Sequence, residues 1–421
     1  MKKLLVLIIS MITGTAYGQG INFENLPGWK EVLQKAKNEK KAIFVDAFTT
    51  WCGPCKQMDK EVFPQKEVGD FFNANFISFK LQMDQTAKDD AVTKGRYDDA
   101  KLFEQTHKIA SYPCYLFFDT EGKLIHKAGG GGLKPADFIE IGKEALDPGK
   151  QLLSYKRKYL EGYREPEFLK TYVYKLAAAA DPQLATVADE FLLLQKDLFS
   201  LESVQMRMFM TTGSNSKYFR VLQKNEGKLA AVLGAEKASR YLKKVIDAEL
   251  MSRALKVVVG PDQKKGYEVD EEGLVTYLGQ FYTPDTAAFL AAYHAVTVWK
   301  LVDQKQAYER AKEFVASYGK HLNPAQAAQM ALIIAGKGTN KADNEQALKL
   351  LIVHGNTREY LVQQTLCKLY AYDGQEEKAL HHAGIALTEV RKTRPNYPDI
   401  SSEEFLKRTL TASPTPQIIS N

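Results

Sequence analysis

The sequence predicts an α/β fold with a central mixed sheet flanked by helices over its first third, followed by an all-helical region, and three observations predict it. Between residues 21 and 147, apolar runs of strand length alternate with amphipathic helical stretches. After Asp147-Pro148-Gly149 the strand patterns all but vanish, and Ala, Leu, Lys, Gln and Tyr recur at helical spacing to about residue 411. A Cys-x-x-Cys pair, Cys52 and Cys55, stands where the first strand gives way to a helix.

Taken in order, Trp29 to Lys40 is an amphipathic helix, with Trp29, Val32, Leu33 and Ala36 on one face. "KAIFVDAF" (Lys41 to Phe48) is apolar except for Asp46, which suits a strand covered on both faces. A helix then runs from Cys52 to about Phe63, and a short one from Glu67 to Asn73 precedes a second buried strand, "FISFKLQMD" (Phe76 to Asp84). Residues 85 to 97 read as a polar excursion and Asp98 to His107 as a helix. "YPCYLFFD", the turn Glu121-Gly122 and "KLIHKAG" form a hairpin, and a helix from Pro135 to Leu146 carries Pro135 and Asp137 in its first turn.

Beyond residue 149 the breaks at Pro166, Asp181-Pro182, Gly213, Gly260-Pro261, Pro284, Asn323-Pro324, Gly336 to Gly338, Gly355 and Gly374 divide the chain into helices, most economically paired as stacked hairpins. In "QQTLCKLYAYDGQEEKALHHAGIALTEV", Leu366, Cys367 and Tyr370 mark one helix, Gly374 the turn, and Ala379, Ala383 and Ala386 the close-packing face of the next. That spacing resembles a tetratricopeptide repeat, with a degraded copy at Gln304 to Tyr318. The expected organisation is a signal peptide at 1–18, an α/β domain at 19–147, helices at 150–411 and a flexible tail at 412–421.

The signal peptide rests on Lys2 and Lys3, the apolar run Leu4 to Ile12, and the small-x-small site Ala16-Tyr17-Gly18, which places the mature start at Gln19. The other reading of this segment is a buried N-terminal helix. The run is too short to span a bilayer, and no later stretch is long and apolar enough, so the expected product is periplasmic or secreted, without stable membrane insertion. The formal charge of +6 falls to +4 once Lys2 and Lys3 leave, too weak and too evenly spread to indicate nucleic acid.

With four cysteines in 421 residues, the chain is no disulfide-stapled scaffold, and the C-x-x-C is a candidate for chemistry. At a helix N-terminus the unpaired N–H groups and the helix dipole favour a thiolate, so Cys52 is expected to be the more exposed, attacking sulfur. Cys55, one turn on, lies within reach as the resolving thiol, and Pro54 suits the first turn because its missing N–H has no partner there. Two alternatives are weaker. Zinc requires two further ligands, for which His107 and Cys114 are the available residues. A purely structural bridge across two residues constrains little of the unfolded chain.

Residues 21 to 147 resemble the thioredoxin superfamily. "FVDAFTTWCGPCKQM" is similar to the thioredoxin active-site segment, including Gly53-Pro54 between the cysteines. The longer pattern from Trp51 to Phe63 is similar to thioredoxin-like domains of exported disulfide-interchange proteins. The resemblance implies a redox-active Cys52–Cys55 disulfide. It implies Asp46 as the buried acid that relays the proton of Cys55, with Lys80 as its neighbouring lysine. It also places Tyr112-Pro113 at the family's cis-proline, in a substrate groove formed with Trp51, Gly53, Pro54 and Gly129. A carboxylate buried there has a raised pKa and can accept a proton; the plainer reading of Asp46 is a strand-end acid satisfied by backbone N–H groups.

Cys114 departs from the family pattern, which commonly has Thr after the cis-proline. It reads as a small buried residue at a strand start in preference to a third redox sulfur, and Cys367 as a small residue in a helix contact. The run Gly129 to Gly132 either lets a substrate peptide approach closely or is only a flexible turn.

What the resemblance implies is an exported thiol-disulfide oxidoreductase that reduces protein disulfides through a mixed disulfide on Cys52. It calls for no cofactor or metal, but for an upstream electron donor in the envelope. The competing expectations are a helical scaffold that binds an unknown protein partner and carries an accessory thioredoxin-like domain, and a disulfide isomerase.

Overall fold

The computed structural model describes residues 20–259, 265–354 and 356–411. The expected signal peptide, the break at Gly260-Pro261, Gly355 and the tail from 412 lie outside the described residues. The chain divides into two compact units between Met210 and Thr211.

In the first unit, helix α1 (Trp29–Glu39) leads to strand β1 (Ala42–Phe48), helices α2 (Gly53–Glu61) and α3 (Lys66–Asn75), and strand β2 (Phe76–Gln82). Helices α4 (Ala91–Gly95) and α5 (Tyr97–His107) precede the hairpin of β3 (Cys114–Phe118) and β4 (Leu124–Gly129) and helix α6 (Pro135–Leu146). Helices α7 (Leu152–Leu160), α8 (Pro166–Ala178), α9 (Leu184–Leu193) and α10 (Leu201–Phe209) complete the unit. The four strands lie in the order β2-β1-β3-β4, with β1 parallel to β2 and β3 antiparallel to both its neighbours.

The alternation of β1 explains why a nearly continuous apolar run is needed there. Val45 packs with Val32 and Ala36 of α1 and Phe103 of α5 on one face of the sheet. Phe44 packs on the other with Met58 of α2, Phe72 of α3 and Phe138 of α6. The Phe44 ring lies 5.0 Å from Phe72, 5.2 Å from Phe117 and 5.7 Å from Phe138 by centroid. By the same period of two, Asp46 points into the Phe44 side of the sheet, where it is 2% exposed.

The polar excursion contains a short helix, α4, capped by Asp90 on Thr93 N, and the following helix starts at Tyr97 rather than Asp98. The loop is ordered around Asp89, which accepts hydrogen bonds from Thr86 N (2.8 Å), Thr86 Oγ1 (2.5 Å), Tyr97 Oη (2.6 Å) and Gln82 Nε2 (2.9 Å).

The change of texture at Gly149 marks the end of the first unit's strands, but that compact unit continues to Met210, because α7 and α8 pack against β4. Leu152 N donates to Nδ1 of buried His126 at 3.0 Å, and Lys175 Nζ meets Glu144 Oε2 at 2.8 Å.

In the second unit, helices run from Lys217–Lys224 to Ser402–Thr411, and consecutive helices pack on one another from Glu271–Leu278 onward. In the pair Tyr360–Tyr372 and Glu376–Thr393, Cys367, Ala379, Ala383 and Ala386 are fully buried, and Gly374 turns the chain with φ +72°. The region is not purely helical. Strands Leu255–Val259 and Lys265–Val269 form an antiparallel hairpin, because Val257, Val258, Val259, Tyr267 and Val269 supply the β-branched and aromatic side chains that favour strands.

Candidate active site

Helix α2 starts immediately after Cys52, which is its N-cap in extended conformation (φ −71°, ψ 107°). Cys52 and Cys55 are joined in a disulfide with a Cα–Cα distance of 5.3 Å, and Cys55 N donates to Cys52 Sγ at 3.1 Å. Pro54 occupies the first turn, where no N–H is needed. Exposure does not separate the two cysteines as expected: both are 3% exposed, because the bridge ties the first sulfur down onto the helix end. What separates them is position, Cys52 outside the helix and Cys55 within its first turn.

Asp46 lies on β1 with Oδ1 buried and without a hydrogen-bond partner. Burial raises its pKa to about 7; Lys80 opposes the rise and Asp59 adds to it. Lys80 of β2 stands opposite Asp46 in the parallel register, with Nζ 3.6 Å from Asp46 Oδ2, and is also bonded to Asp59 of α2, one turn beyond Cys55. The same ammonium lies 4.8 Å from the Phe48 ring centroid and 5.2 Å from that of Phe23. An acid on the sheet is thereby linked through one lysine to the helix that carries the cysteines. The plain reading of Asp46, an acid satisfied by backbone N–H groups, does not match the unpartnered Oδ1.

The Tyr112–Pro113 peptide is cis. Trp51 is 71% exposed, and its ring packs edge-on against Tyr112 at 6.0 Å. Gly53 and Pro54 are exposed beside it, so these residues share one accessible surface.

Gly129 has a different setting from the open groove edge expected of it. A Cβ there would come within 2.9 Å of Pro113 O and 3.3 Å of Ala178 O at the end of α8. At Gly131 a Cβ would come within 2.3 Å of Pro54 Cβ. Gly130 N donates to Pro113 O at 3.3 Å, and Tyr115 Oη donates to Gly130 O at 3.1 Å. Gly129 and Gly131 let the protein's own backbone close around the proline loop and Pro54, whereas Gly130 and Gly132, at φ +110° and +72°, turn the chain with no close contact where a Cβ would stand.

Cys114 is 3% exposed at the start of β3, and burial pushes its thiol up to about 12, with Lys127 opposing the shift. That favours the packing reading, since the thiolate is the reactive form. Cys367 is likewise pushed up to about 12 by burial. Among the described residues no three His, Cys, Asp or Glu side chains are grouped as metal ligands. No helix among the described residues is long and apolar enough to cross a membrane.

Sequence reasoning missed Asp59, Thr50 and Asp84. Asp59 had a signal, standing four residues after Cys55 on the same helix face. Thr50 and Asp84 are 34 residues apart and meet only because β1 and β2 are parallel neighbours.

The Thioredoxin-like domain family matches residues 29–146. Over 103 residues the chain is 30% identical to a thiol:disulfide interchange protein DsbD of Pseudoalteromonas atlantica, covering 24% of this chain and 15% of that protein. It is 29% identical over 113 residues to thioredoxin H-type 2 of Nicotiana tabacum, covering 27% of this chain and 80% of that one. The solved structure of a DsbH oxidoreductase matches with a TM-score of 0.28 and 18% identity, over 35% of this chain and 94% of its own. The chain thus spans about one sixth of the length of the interchange proteins it matches. Residues 29–146 are therefore a thioredoxin-like domain, with Cys52 and Cys55 as its cysteine pair.

Proposed function

We propose that the chain is an exported thiol-disulfide oxidoreductase that reduces disulfides in protein substrates. The observation that carries this reading is the Cys52–Cys55 disulfide at the N-terminus of α2, with the buried carboxyl of Asp46 tied through Lys80 to the same helix. In the reduced protein, the Cys52 thiolate attacks one sulfur of a substrate disulfide, and the other substrate sulfur leaves as thiolate with the electron pair. Asp46, whose pKa burial raises to about 7, takes the proton of Cys55. The Cys55 thiolate then attacks Cys52 Sγ, releasing the second substrate thiolate and forming the Cys52–Cys55 disulfide. Two electrons pass to the substrate, and a dithiol donor in the envelope must return them.

Trp51, Tyr112, Gly53, Pro54 and Pro113 are assigned to hold the substrate segment beside the sulfurs, and Gly129 to support the proline loop from behind. The N-terminal basic and apolar sequence supports export, and the stacked helices of the second unit are assigned to a protein partner. The test is Cys55→Ala in cells: the expected outcome is covalent protein partners on Cys52 that dithiothreitol releases. The absence of such partners, together with a wild-type protein that cannot reduce insulin, would refute the reading.

A further inference from the structure

The chemistry above leaves Asp84 without a role, yet its carboxylate is aimed at the loop of the nucleophile. Strands β1 and β2 leave the sheet side by side, and Met83 N donates to Phe48 O at 2.8 Å, one rung beyond the ladder. From there one chain enters the turn Thr49-Thr50-Trp51-Cys52, closed by Cys52 N donating to Thr49 O at 3.2 Å. The other enters Asp84. The Asp84 carboxylate reaches across the gap with both oxygens: Oδ1 accepts from Thr50 N at 2.9 Å, and Oδ2 accepts from Thr50 Oγ1 at 2.5 Å.

Asp84 is itself held from behind. Gln82 Nε2 donates to Asp84 O at 3.0 Å and to Asp89 Oδ2 at 2.9 Å, and Asp89 is the hub that orders the loop before α5. The bracing therefore runs from Tyr97 through Asp89 and Gln82 to Asp84 and ends on Thr50, two residues before Cys52. Hydrogen bonds to an ionised acceptor are the stronger kind, and a two-point grip fixes orientation as well as distance. Ending a strand requires neither.

We propose that Asp84 is a positioning residue for disulfide exchange: by gripping both the N–H and the hydroxyl of Thr50 it fixes the turn Thr49–Cys52, and with it the line along which the Cys52 sulfur meets a substrate disulfide. The inference rests on Cys52 being the attacking sulfur. It adds no step to the chemistry and moves no proton; it constrains the angle of attack, to which exchange rates are sensitive.

The test uses the full chain with Asp84→Ala, Asp84→Asn, Thr50→Val, Thr50→Ser and the double variant Thr50→Val/Asp84→Ala, each checked for native circular dichroism. In insulin reduction, Asp84→Ala is expected to lower kcat/KM by about 10- to 100-fold, the scale for a displaced reacting group. Thr50→Val should lower it less, Thr50→Ser should stay within about 2-fold of wild type, and the double variant should be no slower than Asp84→Ala, as coupled partners require. Asp84→Asn, which can still bond both groups of Thr50, should fall between wild type and Asp84→Ala. Independent, multiplying effects of Thr50→Val and Asp84→Ala, or a wild-type kcat/KM in Asp84→Ala, would overturn the proposal.

A second readout needs no turnover: the pH profile of iodoacetamide alkylation of Cys52 in the Cys55→Ala background. Its midpoint should move further in Asp84→Ala than in Asp84→Asn, which loses the same charge but can keep the grip, and stay in place in Thr50→Ser; equal midpoints in Asp84→Ala and Asp84→Asn overturn the clamp. A wild type inert toward insulin, with that shift present on Asp84→Ala, would refute the reductase reading and leave the clamp standing.

Discussion

Replacing Asp46 by Ala should make the oxidised protein more stable, increasingly so as pH rises. Asp46 is 2% exposed, its Oδ1 has no partner, and Lys80 at 3.6 Å only partly offsets the burial, so its pKa rises from 3.8 to about 7. Below pH 3.8 the carboxyl is protonated in both folded and unfolded chains and costs nothing by titration. Between 3.8 and 7 the unfolded chain releases the proton while the folded one keeps it, so stability falls by about 1.4 kcal/mol per pH unit. The loss is complete above pH 7, at about 4 kcal/mol. Alanine removes this dependence and adds a packing cost that does not vary with pH. The stability of Asp46→Ala relative to wild type should therefore grow by roughly 2–3 kcal/mol between pH 5 and pH 8. Urea unfolding at the two pH values, followed by the fluorescence of Trp29 and Trp51 in a Trp299→Phe background, reads the first unit's transition. A difference between variant and wild type that is the same at pH 5 and pH 8 would refute the reasoning, because the carboxyl would then titrate alike in both states.

Lys80→Met removes the ammonium that holds the Asp46 pKa down, so the acid limb of the kcat/KM profile should move up by about one pH unit; Asp59→Asn should move it the other way, and an unchanged limb in both would disconnect Asp46 from the rate. Gly131→Ala drives a methyl against the rigid Pro54 ring, which should cost about 1–3 kcal/mol and slow insulin reduction; a neutral effect on both would show that the loop is free to shift. His126, whose pKa burial lowers from 6.5 to about 3, keeps its stability contribution above pH 6.5 and loses it as pH falls, by about 3 kcal/mol at pH 4. His126→Asn, which can still accept from Leu152 N, should lack that loss in urea unfolding at pH 7 and pH 4; an equal loss in both proteins would place the acid sensitivity elsewhere.

What was legible in the sequence was whatever depends on period and local chemistry. The run around Phe44 and Val45 announces a strand buried on both faces, and Cys52-Gly53-Pro54-Cys55 announces a helix start with two sulfurs on it. What was not legible depends on which distant segments become neighbours. Thr50 and Asp84 meet through the parallel pairing of β1 with β2, and Gly129 faces the end of α8 because that helix packs on β4. The hairpin at Leu255–Val259 was hidden for another reason: a five-residue strand following a twenty-residue helix leaves little periodicity to read.

Asp46 and His126 are both buried and both titrate far from their ordinary values, yet only one of them fits a reaction. His126 has its Nδ1 committed, accepting the Leu152 N–H at 3.0 Å, while Glu144 lies 3.9 Å from its Nε2, beyond hydrogen-bond distance. Charging it would disturb a contact that holds α7 to the sheet, so its perturbation is the cost of a structural joint. Asp46 keeps an oxygen with no donor, beside a lysine that favours its charged form while burial favours its neutral one. A lone pair already committed to a backbone N–H could take a proton only by breaking that bond. One left open can take it and give it back. A buried acid whose neutral form is favoured by burial and whose charged form is favoured by a neighbouring lysine suits the acceptance and return of the Cys55 proton.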